Sequence, residues 1–365
     1  MNFTQDRMLS SIMMASAGAI AMGYLYWHKH LRYSRPKCEL PERWTPVGRV
    51  STILMYPLKS GYYKELDDAF CNLKGIEERE NMQPCILRDR NFVLFDRAKG
   101  KFITAKVYEK ITMVDVNVRG QLPIVEFSLR NGYTGNCLPY GPLEIDVVKV
   151  LNEAKTMKFK MHFNEEVKAY DCGDAASAWF SRYLLKSNTT RDIRLGMCCD
   201  DDRTIANSWD RYSDVYNLLS DEDTGRYSDI ASYMIVNEES VNDLNTRVPC
   251  EEKFTSHYFR PNIVVKDCIP YEEDTWDWIK IGDAIFRVVK PCTRCIAITI
   301  NPETGIKNSA LEPIRTLRQY RRLGDIDQKA KHLEGQSPVM GVYAGLYHLG
   351  VIKPDDIVFV SSHQK

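Results

Sequence analysis

Val289-Lys290-Pro291-Cys292-Thr293-Arg294-Cys295, running into Ile296-Ala297-Ile298-Thr299-Ile300 and the turn Asn301-Pro302-Glu303-Thr304-Gly305, is the stretch that decides how this chain is read. The segment Cys295 to Ile300 reads as a strand. Two cysteines three positions apart invite several chemistries. A structural zinc site needs about four ligands, and no second closely spaced Cys or His pair accompanies this one. A thioredoxin-type redox pair opens a helix after a strand, whereas here a strand is expected to follow. Two readings stay open: an ordinary buried cysteine, or a single thiolate at a strand entrance with Arg294 beside it to favour the anion. A soft thiolate suits a transition metal.

Outward from this stretch the pattern is rich in short strands. Val50 to Met55 is β-branched and apolar, and Asn91 to Asp96, the turn Ala98-Lys99-Gly100 and Phe102 to Ala105 predict a hairpin. Further strands are expected at Val125 to Leu129, Leu143 to Val150, Tyr233 to Val236, Asn262 to Lys266 and Ala284 to Val289. Gly173-Asp174 opens a helix carrying Trp179, Tyr183 and Leu184. Others are expected from Glu238 to Arg247, capped by Asn237, and from Pro313 to about Arg322. The polar segment from about 186 to 225 reads as a long surface connection, with the runs Asp200–Asp202 and Asp221–Asp223 solvated. Ile279–Phe286 echoes Ile352–Phe359, each a turn feeding a strand. Many short strands with long returns imply an α+β chain built on a β-barrel-like module.

The 365 residues contain 49 Lys plus Arg against 49 Asp plus Glu, so no net field favours nucleic acid. No Gly-x-Gly-x-x-Gly dinucleotide fingerprint is present. The 11 cysteines are scattered in a chain long enough to fold without staples, and are read as reduced thiols. Leu9 to Trp27 carries no charge and ends in Tyr24, Tyr26 and Trp27, while His28, Lys29, His30, Arg32, Arg35 and Lys37 form a basic cluster after it. This predicts a short tail at 1–8, an uncleaved transmembrane signal anchor at 9–27 and a basic linker at 28–46, with the body facing the cytosol. A secretory signal would carry its basic residues before the apolar run.

Several further segments recur in order: Tyr56-Pro57-Leu58-Lys59-Ser60, Leu87-Arg88-Asp89-Arg90, Asp171-Cys172-Gly173-Asp174 with Trp179, Phe259-Arg260-Pro261-Asn262-Ile263-Val264, Trp276 with Ile281-Gly282-Asp283, and Gln336-Ser337-Pro338 with Gly341 and Tyr343. Together with Pro291–Cys295 and Asn301–Gly305 they make the chain resemble the MOSC-domain proteins, specifically the mitochondrial amidoxime reducing component branch, over about residues 48 to 361. The resemblance implies a MOSC N-terminal β-barrel-like domain at 47–186 and a MOSC domain at 187–365. It also implies a molybdenum–molybdopterin cofactor, its metal bound by the Cys295 thiolate. Lys59, Ser60, Arg90, Asp229, Arg260, Asn262, Thr293, Arg294 and Tyr343 would hold the pterin and its phosphate, as fixed cations and hydroxyls suit an anion.

The implied activity is reduction of amidoximes, hydroxylamines and N-hydroxyguanidines, with electrons from NADH through cytochrome b5 reductase and cytochrome b5. The implied location is the outer mitochondrial membrane, with endoplasmic reticulum or peroxisome as alternatives. Other classes are a sulfur-transfer enzyme carrying a persulfide on Cys295 or Cys292, and a metal-free membrane scaffold. The chain departs from the family pattern at Ile230-Ala231, where Thr and Ser are usual, at Lys106, where arginine is usual, and at Gly61, where cysteine is usual.

Overall fold

The computed structural model describes residues 39–79, 85–120, 122–130, 141–187, 192–199, 203, 212, 215–249, 251–326 and 328–362. The anchor expected at 9–27 and the basic cluster after it lie outside the described residues. Among those described, no helix is long and apolar enough to cross a membrane.

The strands that build the site are, in chain order, β1 (Thr45–Met55), β2 (Phe92–Asp96), β3 (Lys101–Ile103), β4 (Thr156–Lys160), β5 (Glu166–Asp171), β6 (Ile193–Cys198), β7 (Tyr233–Asn237), β8 (Ile263–Lys266), β9 (Trp278–Ile281), β10 (Ala284–Thr293), β11 (Val339–His348) and β12 (Ile357–Ser361). One eight-stranded sheet runs β8-β7-β11-β10-β9-β12-β1 and ends on the short strand Lys64–Leu66. The long β1 also pairs with β8, joining the two sides of this sheet, and it can do so because its register slips between Val50 and Thr52. A second, closed barrel runs β4-β5-β6-β2-β3. Its interior is filled by Val93, Phe95, Phe159, Val167 and Ala169, with Phe95 and Phe159 stacked 4.6 Å apart.

These pairings exchange strands across the expected boundary at 186/187. The strand β6, beyond it, pairs with β2 and β5, and β1, at the other end of the chain, lies between β12 and β8 of the large sheet.

Local sequence explains most elements. The helix Gly173–Leu185 buries Ala176, Phe180, Tyr183 and Leu184 on one stripe. Asn237 caps Glu238–Arg247 by accepting from the Glu239 N–H at 3.0 Å.

Four expectations are corrected. Residues 143–150 are not one strand: Asp146 accepts the Lys149 N–H at 3.0 Å and starts a helix at Val147. The run Cys295–Ile300 is not a strand either, because Ile298 N–H bonds back to the Cys295 carbonyl and closes a 3₁₀ turn over Ile296–Thr299. The polar segment 186–225 contains the buried strand β6. Within Asp221–Asp223, Asp223 is fully buried in a capping box with Ser220, against a Gly345 that leaves no room for a Cβ. Asp200–Asp202 lie outside the described residues.

Candidate functional site

All the residues named from sequence as cofactor-binding, Cys295 included, line one cleft enclosing about 1080 Å³ of space, its open mouth counted. The fold explains how they converge. Beyond β1 the chain runs parallel to the segment before β2: Arg90 N–H bonds the Tyr56 carbonyl (2.7 Å), Phe92 N–H that of Pro57 (2.9 Å), and Lys59 N–H that of Phe92 (2.8 Å). Lys59 and Arg90 are thereby set on one wall. Beside Arg90 comes Arg260, just before β8, and the lining is completed by Thr293 to Cys295, at and just beyond the end of β10, and Tyr343 on β11.

Some of the backbone strain in the molecule falls at the cleft. Ser60, Arg90 and Arg260 all have left-handed φ (68°, 46° and 54°). Gly61 follows, and a Cβ there would come within 2.8 Å of the Leu58 Cβ, so this turn is shaped for glycine where the family pattern has cysteine.

The charges fall into two groups. Lys59, almost fully buried, donates to the Tyr227 carbonyl (2.7 Å) and the Asp229 carboxylate (2.5 Å). Burial pulls its ammonium below the usual lysine range, opposed by Asp229. Burial on its own would raise the Asp229 carboxyl, but Lys59 and His162 hold it well below the usual range. The His162 Nε2 lies 3.1 Å from Asp229 Oδ1.

Arg90 is answered by Asp89 (2.5 Å) and by Asn262 Oδ1 (3.1 Å). Arg260 is different. Its guanidinium lies 4.2 Å from the Tyr56 ring centre, with Arg90 at 4.5 Å from the same ring, and its Nη2 is buried without a hydrogen-bond partner. Burial pulls it down to about 10, with Arg90 pushing the same way and Tyr56 opposing. It remains charged at neutral pH. Asp89 and Asp229 hold part of its charge, but a buried donor left without a partner costs about 1–3 kcal/mol.

Several expected ligands turn out to be committed to the chain itself. Asn262 Oδ1 also accepts from Met234 N–H (3.2 Å), and its Nδ2 donates to the Leu54 carbonyl (3.3 Å), so this side chain ties β1 to β7. Thr293 gives its hydroxyl proton to Glu334 (2.9 Å), and Arg294 Nε donates to the Met340 carbonyl (3.0 Å). Tyr343 is hydrogen-bonded to the Cys292 thiol. Among the described residues, cleft groups with no hydrogen-bond partner include the Ser60 hydroxyl, the Lys106 ammonium, Arg260 Nη2, His257 Nε2 and the Cys295 thiol.

The two cysteines part company. Cys292 is fully buried in an apolar cluster with Val236 and Phe259, and burial pushes its thiol up. Cys295 is exposed in the cleft, and both are free thiols. A short helical turn, not a strand, follows Cys295, and what separates this pair from a thioredoxin-type one is that Cys292 belongs to the core. Among the described residues no group of three or more His, Cys, Asp or Glu is placed to hold a metal ion, so a metal at Cys295 would bring most of its donors with it.

Sequence reading missed His162, His257 and Arg203. His257 lines the cleft with its ring stacked on Tyr63 at 4.2 Å. Arg203 grips Glu165 (2.6 and 2.8 Å) and the carbonyls of Gly225, Arg226 and Ser228, fixing the loop that presents Asp229. All three are lone residues with no local signature, brought in only by tertiary packing. Ala231 lines the cleft, but Ile230 packs with Leu219, Val289 and Leu323 behind it.

Residues 222–359 match the MOSC domain and residues 47–187 the MOSC N-terminal beta barrel domain. Among curated proteins the chain is 29% identical to human mitochondrial amidoxime-reducing component 1, over 94% of this chain and 90% of that one. It is 30% identical to the Danio rerio protein of the same name (87% and 86% covered), and 30% identical to mitochondrial amidoxime reducing component 2 of Bos taurus (86% and 83%). With both domains in order and likeness at this level across nearly its whole body, the chain belongs to the mitochondrial amidoxime-reducing component family of MOSC-domain proteins.

Proposed function

We propose that this chain is a molybdenum-cofactor oxidoreductase that reduces N-hydroxylated compounds such as amidoximes, hydroxylamines and N-hydroxyguanidines. The observation that carries the reading is a free thiol, Cys295, exposed in a cleft whose wall holds a guanidinium, that of Arg260, whose Nη2 is buried with no hydrogen-bond partner among the described residues. A phosphate-bearing metal cofactor fits both needs at once. Cys295 would hold the metal, while Arg260, the Ser60 hydroxyl and Lys106 would hold the phosphate and pterin edge.

When bound, such a centre supplies the capacity to accept an oxygen atom from an N–OH group while two electrons and two protons release water. The chain's own part is placement. Asp89 and Asn262 hold Arg90, whose Nη2 in turn donates to the Arg260 carbonyl (3.3 Å), so Arg260 is set from two sides. The Asp229 carboxylate, 3.1 Å from His162 Nε2, orients the imidazole at the cleft wall.

Electrons would come one at a time from NADH through cytochrome b5 reductase and cytochrome b5. The relatives' names support a mitochondrial site, and residues 9–27 support an anchor in the outer membrane with the body in the cytosol. The test is reduction of an aromatic amidoxime by the full chain, purified from a molybdenum-competent host, with its metal content measured alongside. Amidine formation in proportion to molybdenum is expected. Full metal loading without reduction would overturn the reading. Sulfur turnover on Cys295 in its place would favour the sulfur-transfer class, which the same free thiol also suits.

A further inference from the structure

The chain as a whole is neutral, but its lysines are not evenly spread. On the outer face of the small barrel, Lys158 of β4 lies directly opposite Lys168 of β5, and Lys160 of β4 directly opposite Lys101 of β3. All four are exposed. Like charges facing each other across strands are destabilising, so the arrangement costs the barrel stability. Glu166, which stands opposite Lys160, accepts from the Lys158 ammonium at 2.6 Å, leaving Lys101, Lys160 and Lys168 without an ion pair among the described residues. Lysines on a strand commonly guard a sheet edge against pairing with other chains, but this barrel is closed and has no such edge.

The position of the face matters as much as its charge. The strands β3 and β4 are parallel, so their C-terminal ends lie at the same end of the barrel. Three residues beyond Lys101 is Thr104, and two beyond Lys160 is His162, both lining the cleft. At about 3.3 Å per residue, the lysine pair begins within roughly 10 Å of the cleft wall.

We propose that this lysine face docks the acidic surface of the protein that delivers electrons to the cleft. The inference rests on the oxidoreductase reading. The step served is transfer of one electron at a time from a reduced haem protein, which is oxidised, two electrons being used with two protons for each N–OH cleaved. A membrane of anionic lipid would also be attracted to lysines, but it would deliver nothing to the cleft, and continuity with Thr104 and His162 favours the protein partner.

The test uses the full holoenzyme, wild type and Lys160→Glu with Lys168→Glu, and the milder Lys160→Gln with Lys168→Gln should reversal impair folding. Binding of cytochrome b5 is measured across ionic strength, with pelleting on phosphatidylserine and on neutral phosphatidylcholine vesicles. Turnover is measured with cytochrome b5 and, separately, with reduced methyl viologen, which needs no docking. The expected result is a Kd and a KM for cytochrome b5 raised at least about tenfold at low salt, a flattened salt dependence, and unchanged viologen-driven turnover. Unchanged cytochrome binding overturns the proposal, as does loss of binding to anionic vesicles with cytochrome binding intact. If the wild type turns over no N-hydroxylated substrate even with viologen, the oxidoreductase reading falls, and docking is still judged by the binding data.

Discussion

At the turn Glu272–Thr275 the buried carboxyls are answered from within the chain, and along the cleft Arg260 Nη2 is not. Glu273 is fully buried, with both its oxygens 2.9 Å from the Ser240 hydroxyl, while its neighbour Asp274 is paired with Arg321 (2.7 Å). Burial, reinforced by Asp274, pushes the Glu273 carboxyl up to about 7. The chain tolerates this group by letting it keep its proton, which is a structural solution. In the cleft, Lys59 and Arg90 are likewise satisfied, but Arg260 Nη2 is orphaned and Cys295 stands free. The turn serves the scaffold by completing its polar burial internally, whereas the cleft brings an orphaned donor and a free thiol to one space that a bound group would answer.

The sharpest way to break this difference is Arg260→Met, which keeps the length and left-handed backbone but removes the orphaned charge. If Arg260 served the fold, stability would drop. The expectation is a thermal midpoint unchanged or raised, since an unsatisfied donor is removed, with cofactor retention weakened by roughly ten- to a hundredfold, the value of a charge-assisted bond or two. Thermal melts and metal per protein after dialysis decide it.

Glu273→Gln tests the other side. Because the folded carboxyl is raised, its contribution is fully present below the unfolded value near 4.3 and is lost as pH rises through about 7. Wild-type stability should therefore fall by roughly 3 kcal/mol between pH 4 and 8 from this group. The Gln variant should lose that slope, be the more stable of the two at pH 8, and leave turnover untouched. Urea unfolding at several pH values measures it.

The smallest effect concerns Ile230 and Ala231. Since Ala231 lines the cleft and Ile230 does not, Ala231→Ser should improve metal retention by less than about tenfold, the value of one hydrogen bond. Ile230→Thr should gain nothing there and cost about 1–2 kcal/mol for a hydroxyl buried among Leu219, Val289 and Leu323. Metal content of each single variant, with its melting curve, separates the two.

Much of this was legible before the structure, for physical reasons that differ from element to element. The helix Glu238–Arg247 was readable because its signal is local: Asn237 caps the N–H two residues on. The cleft residues were readable only through motif likeness, since nothing in spacing says that Arg90 and Arg260 share the ring of Tyr56. Cys295–Ile300 misled because its isoleucines favour a strand, while the chain instead turns so that Ile298 and Ile300 can be buried beneath the exposed thiol. The buried Asp223 was hidden in an acidic run whose only visible property was charge, and its partners Ser220 and Gly345 include one more than a hundred residues away.

The most direct test is X-ray absorption at the molybdenum edge of the full chain and of Cys295→Ser, both from a molybdenum-competent host, with metal content and melting curves alongside. The account predicts one sulfur fewer around the metal or loss of the metal altogether, abolished N-hydroxyl reduction, and an unchanged thermal midpoint, because Cys295 touches the cleft and not the core. The same sulfur count and near-normal turnover in Cys295→Ser would contradict it.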